Sequence, residues 1–267
     1  MITWCSSSDF CMYDPRYRTW AKLTSMRRSR VSFPLVASDK GLYAIAGVEH
    51  MVDGVRDIET YLSSVEFYDP HSNTWSSLPQ LPFGVFSCAA VCLGGSVYTC
   101  GGITSDPEDN VPSQQLRVFD GHADEWRSLA PMQVPRQAHA MTVLGQKSLV
   151  VFGGYTDVDY QIRFEDCFDN ELYDIETDQW SLLNTSPIEV RHLHNSVATH
   201  NGGIFILGGS AVTSQRFIHK YDAEKDVVLE GQPCGQSVKK LVSLRVSLAP
   251  EWFENPEDDD DAGAYIN

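Results

Sequence analysis

A short aromatic pattern recurs at regular intervals along this chain of 267 residues, and it constrains the fold more than any other feature. In its clearest copy, Tyr173 and Asp174 are followed by Trp180, seven residues after the tyrosine, and then by Leu183. The other copies are Tyr13–Asp14 with Trp20 and Leu23, Tyr68–Asp69 with Trp75 and Leu78, Phe119–Asp120 with Trp126 and Leu129, and Tyr221–Asp222 with Val228 in place of the tryptophan. Because the copies start 48 to 55 residues apart, the pattern predicts a series of β-propeller blades.

Each copy of the repeat contains four segments with the character of β-strands. The first segment follows an arginine or its substitute, namely Arg30, Val85, Arg136 or Arg191. The second is a short apolar run closed by two small residues, as in LVVF before Gly153–Gly154, which suits a strand buried on both faces. The third carries the Tyr-Asp pair and the fourth the tryptophan. We therefore predict an all-β fold of four-stranded antiparallel blades, with the aromatic side chains packed between successive sheets.

The small residues that close the second strands extend the pattern. The glycine pairs are Gly101–Gly102, Gly153–Gly154 and Gly208–Gly209. Together with the Tyr-Asp pair and the tryptophan at fixed offsets, they resemble the kelch repeat over most of the chain. Three positions depart from it, because Ala46 replaces a glycine, Val85 an arginine and Val228 a tryptophan.

The chain most resembles the propellers of BTB–kelch substrate adaptors. These propellers commonly have six blades and recruit protein substrates to cullin-RING ubiquitin ligases. The resemblance implies a kelch β-propeller that binds a protein or peptide and catalyses no reaction. No segment resembling a BTB or BACK domain precedes the repeats, so the ligase-binding module of the family is expected to be absent from this chain.

The ends of the repeat region leave the number of blades open. Five blades are recognisable, and the lone alternating segment 241–249 is expected to close the ring by supplying the innermost strand that the first blade lacks. The alternative is a fragment of a six-bladed ring. Residues 1–250 are expected to form the propeller, and 251–267 an acidic, disordered tail.

Composition narrows the partners and the compartment. The net charge of −16 repels a phosphate backbone, so nucleic acid is not an expected partner. No apolar run approaches the roughly 18 residues of a membrane helix, and the first residues do not look like a secretory signal, so no membrane contact is expected. The seven cysteines form an odd set without a C-x-x-C pair, which favours free thiols and a cytoplasmic location.

The loops predict where a partner binds. In an antiparallel blade, the loops between second and third strands emerge on the same side as the connections between blades. Three of these loops are long, at 48–63, 103–115 and 155–170, and long loops on a rigid scaffold often carry binding functions. Loop residues predicted to form an acidic rim include Asp106, Glu108, Asp109, Asp157 and Asp159.

Arginines are predicted to lie near the axis of the ring on that same face: Arg30, Arg136 and Arg191. Such a surface would accept a peptide with a carboxylate at the axis and flanking lysine or arginine at the rim. The family resemblance supports this hypothesis, since arginines near this position line the substrate pocket of similar propellers. The alternative is that the arginines bond to backbone or carboxylate groups within the ring and that the acidic residues are simply solvated.

Two histidines occupy equivalent repeat positions on the same face. His139 and His194 each lie three residues after an arginine, and we predict that they are packed or line the pocket. His192 and His194 have the spacing of two metal ligands on one side of a strand, but no third ligand is evident, so neither a metal nor another cofactor is expected. Cys88 and Cys92 share one side of an apolar segment that is typical of a core strand.

The expected function is therefore a non-catalytic protein-interaction module. The sequence offers no set of nucleophile, base and orienting group, and no phosphate-binding glycine loop. An actin- or cytoskeleton-binding role is the first alternative, because some kelch proteins act in that way. A metal-dependent propeller enzyme is the second.

Overall fold

The computed structural model describes residues 2–3, 8–14, 16–53, 56–105, 111–121, 123–157, 164–184, 197–200, 203–208 and 217–233. Every regular element in these ranges is a β-strand. In chain order the strands are β1 (Ile2–Thr3), β2 (Phe10–Asp14), β3 (Thr19–Leu23), β4 (Leu35–Ala37), β5 (Leu42–Ile45), β6 (Val48–Asp53), β7 (Arg56–Tyr61), β8 (Val65–Asp69), β9 (Thr74–Leu78), β10 (Val85–Phe86), β11 (Ala89–Leu93), β12 (Ser96–Cys100), β13 (Ile103–Thr104), β14 (Leu116–Asp120), β15 (Glu125–Leu129), β16 (Ala140–Leu144), β17 (Ser148–Phe152), β18 (Tyr155–Asp157), β19 (Phe164–Asp166), β20 (Glu171–Asp174), β21 (Gln179–Leu182), β22 (Val197–His200), β23 (Gly203–Gly208), β24 (Phe217–Asp222) and β25 (Val227–Pro233).

The main sheets follow one another along the chain, and we number them as blades. Blade 1 has the order β1-β2-β3, blade 2 β4-β5-β8-β9, blade 3 β11-β12-β14-β15, blade 4 β16-β17-β20-β21 and blade 5 β22-β23-β24-β25. All neighbouring strands within a blade are antiparallel. Three smaller two-stranded pairs, β6-β7, β10-β13 and β18-β19, lie in the connections. The predicted blades of four antiparallel strands are confirmed for blades 2 to 5, and the described part of blade 1 has three strands.

The spacing of seven residues places the two repeated aromatic side chains opposite each other on adjacent strands. Tyr173 in β20 pairs with Trp180 in β21, and their ring centroids are 5.1 Å apart. The turn between these strands is held by Asp174, whose Oδ1 accepts hydrogen bonds of 2.9 Å from the N–H groups of Glu176 and Thr177. The Tyr-Asp pair therefore specifies both a packing position and a capped turn.

The hydrophobic core lies between successive blades. Leu116 and Val118 of blade 3 share a buried cluster with Leu149, Val151 and Tyr173 of blade 4. Comparable clusters join blade 1 to blade 2, blade 2 to blade 3, and blade 4 to blade 5. Each blade is thus stabilised by burial of apolar surface against its neighbours, as expected of a propeller.

The paired small residues allow a close approach of backbone to backbone. Gly102 has a φ of +89°, and a Cβ at this position would lie 2.6 Å from the carbonyl oxygen of Phe86. Only glycine fits there without a shift of the backbone. Ala46, which departs from the repeat, adopts the same left-handed region with a φ of 56°. The shape of the pair is therefore kept in blade 2 despite the substitution.

Two predictions about the C-terminal part fall outside the described residues. These are closure of the ring by 241–249 and the acidic tail 251–267, and both stay predictions. In the ranges that the structure describes there is no helix with the length and hydropathy that crossing a bilayer requires.

Candidate functional site

One face of the blades gathers the two kinds of connection, and we call it the loop face. It is formed by the described parts of the connections between second and third strands, 46–53, 56–64, 101–105, 111–115, 153–157 and 164–170, and by the connections between blades, 24–34, 79–88 and 130–139. The two kinds are hydrogen-bonded to each other: Val31 pairs with Val48, Phe86 with Ile103, and Gln137 with Tyr155. This confirms that both kinds of loop emerge on one side of the blades.

Arg136 lies under the loop face with no exposed surface. Its Nη2 donates to Glu171 Oε1 at 2.7 Å, and its Nη1 donates to the carbonyl oxygen of Gly153 at 3.0 Å. The carboxylate of Glu171 also accepts from the backbone N–H groups of Gln133 and Val134, at 2.7 and 3.1 Å. The buried ion pair thus holds three segments of blade 4 together.

Arg30 makes the equivalent arrangement in blade 2. It is fully buried, and its Nη2 donates to Glu66, while Nη1 donates to the carbonyl oxygen of Ala46 at 2.8 Å. Glu66 accepts from the backbone N–H groups of Arg27 and Arg28, at 2.7 and 3.2 Å. Burial lowers the pKa of the Arg30 guanidinium, and the carboxylate of Glu66 opposes that shift.

The structure therefore places Arg30 and Arg136 inside their own blades, which is the alternative that the sequence had left open. Their guanidinium groups fix the loops and present no surface in this structure. Direct contact between these side chains and a partner stays a prediction. Their partners, Glu66 and Glu171, were not among the predicted site residues. A signal existed, because each glutamate lies two residues before the repeated tyrosine.

His139 is also packed in the interior, with 1% of its surface exposed. Its Nε2 lies 3.2 Å from the Sγ of Cys100, which is equally buried. Burial raises the pKa of the Cys100 thiol, so the neutral thiol is the stable form beside the imidazole. The structure thus supports the packed histidine, and a contact of His139 with a partner is untested.

The structure does not describe the side chains of the remaining predicted site residues. Arg191, His194, Asp106, Glu108, Asp109 and Asp159 lie outside the described residues. Asp157 ends β18, but its side chain is not described. The acidic rim therefore stays a prediction.

The cysteines behave as core residues where they are described. Cys88 is 4% exposed and belongs to the cluster between blades 2 and 3, and Cys92 packs against the same cluster. Burial raises the pKa of Cys88 to about 11. Among the described residues, no group of three or more histidine, cysteine, aspartate or glutamate side chains could hold a metal ion.

Among the described residues, two phenylalanines are exposed on the loop face. Phe83, in the connection before blade 3, is 42% exposed, and Phe168, in the connection between β19 and β20, is 44% exposed. Large aromatic side chains are enriched at the centres of protein–protein interfaces. Neither residue was among the predicted site residues, because the charge pattern of the loops gives no sign of exposed apolar side chains.

A protein-family model described as the Attractin/LZTR1 beta-propeller matches residues 7–216. Curated relatives match most of the chain. Kelch-like protein 36 of Bos taurus is 29% identical over 241 residues, which cover 89% of this chain and 37% of that protein. Kelch-like protein 26 of Danio rerio is 31% identical over 227 residues, which cover 82% of this chain and 34% of the relative. Kelch-like protein 15 of Danio rerio is 33% identical over 221 residues, which cover 76% of this chain and 34% of that protein. The chain thus spans less than two fifths of these relatives.

Proposed function

This chain belongs to the Attractin/LZTR1 beta-propeller family, and from that premise we propose that it is the substrate-recognition propeller of a ubiquitin-ligase adaptor. It is a kelch propeller of the protein-interaction type, similar to those of kelch-like proteins. In the proposed role it catalyses no reaction and binds a protein substrate through the loop face. The ligase scaffold is bound by a module outside this sequence.

The exposed Phe83 and Phe168 are the observation that carries this proposal. Both belong to connections that meet at the loop face, and the buried ion pairs of blades 2 and 4 hold neighbouring segments of that face in place. Rigid aromatic side chains lose little entropy on binding, so such residues are suited to anchor a partner. The free thiols of Cys11, Cys88, Cys92, Cys100 and Cys167 favour a reducing, cytoplasmic location for the interaction.

The test is affinity capture with matched variants. The chain is immobilised, partners are captured from a lysate and identified by mass spectrometry, and each purified partner is titrated against wild type and variants. We expect Phe83→Ala and Phe168→Ala to weaken binding by about tenfold or more, as at interface hot spots. Tyr17→Ala is the control, because Tyr17 is an equally large side chain, 73% exposed in the β2–β3 turn at the opposite end of its blade.

Other outcomes would contradict the proposal at different levels. Equal binding by all three variants would exclude the loop-face aromatics as the site. Cosedimentation with actin filaments, with no discrete partner retained, would favour the cytoskeletal alternative. A partner whose ubiquitination and cellular lifetime do not change when the chain is depleted would contradict the adaptor role and leave the interaction module in place.

A further inference from the structure

Blade 3 breaks the arginine–glutamate pattern of its neighbours. Blade 2 pairs Arg30 with Glu66 and blade 4 pairs Arg136 with Glu171. The equivalent positions of blade 3 are Val85, directly before the Phe86–Ile103 pairing, and Arg117, two residues before Phe119. The positive charge has therefore moved from the connection between blades to the third strand, and neither position carries a negative charge.

A third difference accompanies these two. In blades 2 and 4 the glutamate carboxylate accepts from two consecutive backbone N–H groups, those of Arg27 and Arg28 in blade 2. The equivalent residues of blade 3 are Pro82 and Phe83. Proline has no N–H group to donate, so one of the two backbone donors has been removed together with the acceptor. Each of the three changes removes one part of the arginine–glutamate arrangement, so blade 3 has lost that arrangement as a whole and not through a single substitution.

Arg117 has no counter-charge among the residues that the structure describes. Its side chain is half-buried, and its Nε atom is buried without a hydrogen-bond partner in the same part of the chain. Burial lowers the pKa of the Arg117 guanidinium, but an arginine remains charged at neutral pH. A partly desolvated guanidinium without an anion is unfavourable, because the lost hydration is not replaced. An anion from outside the chain would restore the balance that Glu66 and Glu171 provide in the neighbouring blades.

We propose that Arg117 binds the carboxylate of an aspartate or glutamate in a peptide segment of the partner, at the loop-face end of blade 3. This inference rests on the proposed function, since it specifies the chemistry that the same face selects. Planar guanidinium and carboxylate groups form two parallel charge-assisted hydrogen bonds. Phe83 is 42% exposed in the adjoining connection, so an apolar residue next to the acidic one contacts its ring.

The experiment selects peptides from a random library, so the identity of the partner is not needed. Short random peptides displayed on phage are panned against the wild-type chain, and the selected peptides are synthesised and titrated by calorimetry. We expect one fixed acidic position in these peptides, beside an apolar residue. Arg117→Gln should weaken their binding by about tenfold or more, the usual effect of losing a charged hydrogen bond. Arg127→Gln is the matched control, because Arg127 is an exposed arginine of the same blade, on β15, with 56% of its side chain accessible.

A double variant separates a loss of binding from a loss of folding, in case Arg117→Gln does not fold. Val85→Arg with Arg117→Glu recreates the pair of blades 2 and 4, and we expect it to melt no lower than wild type and to lose the acidic peptides. Selected peptides without an acidic position, or peptides that bind Arg117→Gln and Arg127→Gln equally, would overturn the Arg117 proposal and leave the interaction function standing. If wild type selects no peptide and captures no protein partner, both proposals are wrong.

Discussion

The indole N–H of Trp180 donates a hydrogen bond of 2.8 Å to the main-chain carbonyl of Ala130, which lies one blade earlier in the chain. Trp75 makes the same bond to Thr24 and Trp126 to Pro79, at 2.8 and 2.9 Å. Each acceptor directly follows the leucine that ends the pattern of the preceding blade. The tryptophan therefore joins successive blades by a polar contact as well as by apolar burial.

Replacing the buried Trp75 should destabilise the fold much more than replacing the exposed Trp20. Trp75 is 5% exposed and its ring lies 5.2 Å from that of Phe10, so Trp75→Ala should lower the free energy of unfolding by about 3–5 kcal/mol. Trp75→Phe should lose about 1 kcal/mol through the hydrogen bond to Thr24, beyond the change in packing. Trp20 occupies the equivalent position of blade 1 but is 50% exposed, so it provides the control. Trp20→Ala should lower the free energy of unfolding clearly less than Trp75→Ala does. Urea denaturation measures all three, and equal losses for Trp75→Ala and Trp20→Ala would contradict this account.

Two ion pairs of blade 4 have the same length and opposite burial, which makes them a matched test. Arg136–Glu171 and Lys147–Glu176 are both 2.7 Å, but the first is fully buried and the second has side chains more than half exposed. Glu171→Gln should cost about 3–5 kcal/mol, because the guanidinium stays buried without its charge partner. Glu176→Gln should change the free energy of unfolding little, since water screens an exposed pair. Similar effects of the two substitutions in chemical denaturation would show that burial does not control the contribution.

The sequence predicted the blades well because the repeat records contacts within one hairpin. Tyr173 and Trp180 face each other across a short turn, so their spacing alone gives the register. The state of Arg136 was harder to predict, because its partner Glu171 lies 35 residues away in sequence. Whether an arginine at such a position is exposed depends on packing between distant strands. The residues next to the arginine in sequence do not indicate whether it is buried.

Turn residues show a second limit of the same kind. Asp178 Oδ1 accepts from the N–H of Ala130 at 2.8 Å, over 48 residues of sequence. Asn73 makes the equivalent bond to Thr24 at 3.0 Å. Both residues lie five positions after the repeated tyrosine and have a positive φ, 53° and 50°. This spacing is visible in the sequence, but its cross-blade role is not, because the contact exists only once two blades are packed together.

The buried thiols should resist alkylation in the folded protein. Burial raises the pKa of Cys88 to about 11, so only about one thiol in a thousand is ionised at pH 8 even if reagent reaches it. Cys100 is 1% exposed and its pKa is raised by the same cause. We expect iodoacetamide to modify Cys11, which is partly exposed, faster than either buried thiol, and all three to react alike in urea. Peptide mass spectrometry over a time course measures the order, and rapid modification of Cys88 in the native state would contradict the core assignment.

The carboxylate of Asp178 should make the free energy of unfolding depend on pH in the acidic range. Blade 2 has an asparagine, Asn73, at the equivalent position, and this suggests a substitution that removes only the charge. The hydroxyl of Tyr173 donates to Asp178 Oδ1 at 2.7 Å, and this bond, followed by that from Ala130, lowers the pKa of the carboxyl. A lowered pKa in the folded state stabilises the fold above the unfolded value of about 4, and this contribution is lost as pH falls through the folded value. Asn73 accepts the same two kinds of bond in blade 2, so Asp178→Asn should fold normally while losing the charge. Wild type should therefore be more stable than Asp178→Asn at pH 6, by a small margin because the carboxylate is exposed, and this margin should shrink as the pH is lowered below about 4. Urea denaturation of both proteins at these pH values measures the difference, and a margin that stays constant would show that the carboxylate charge makes no contribution.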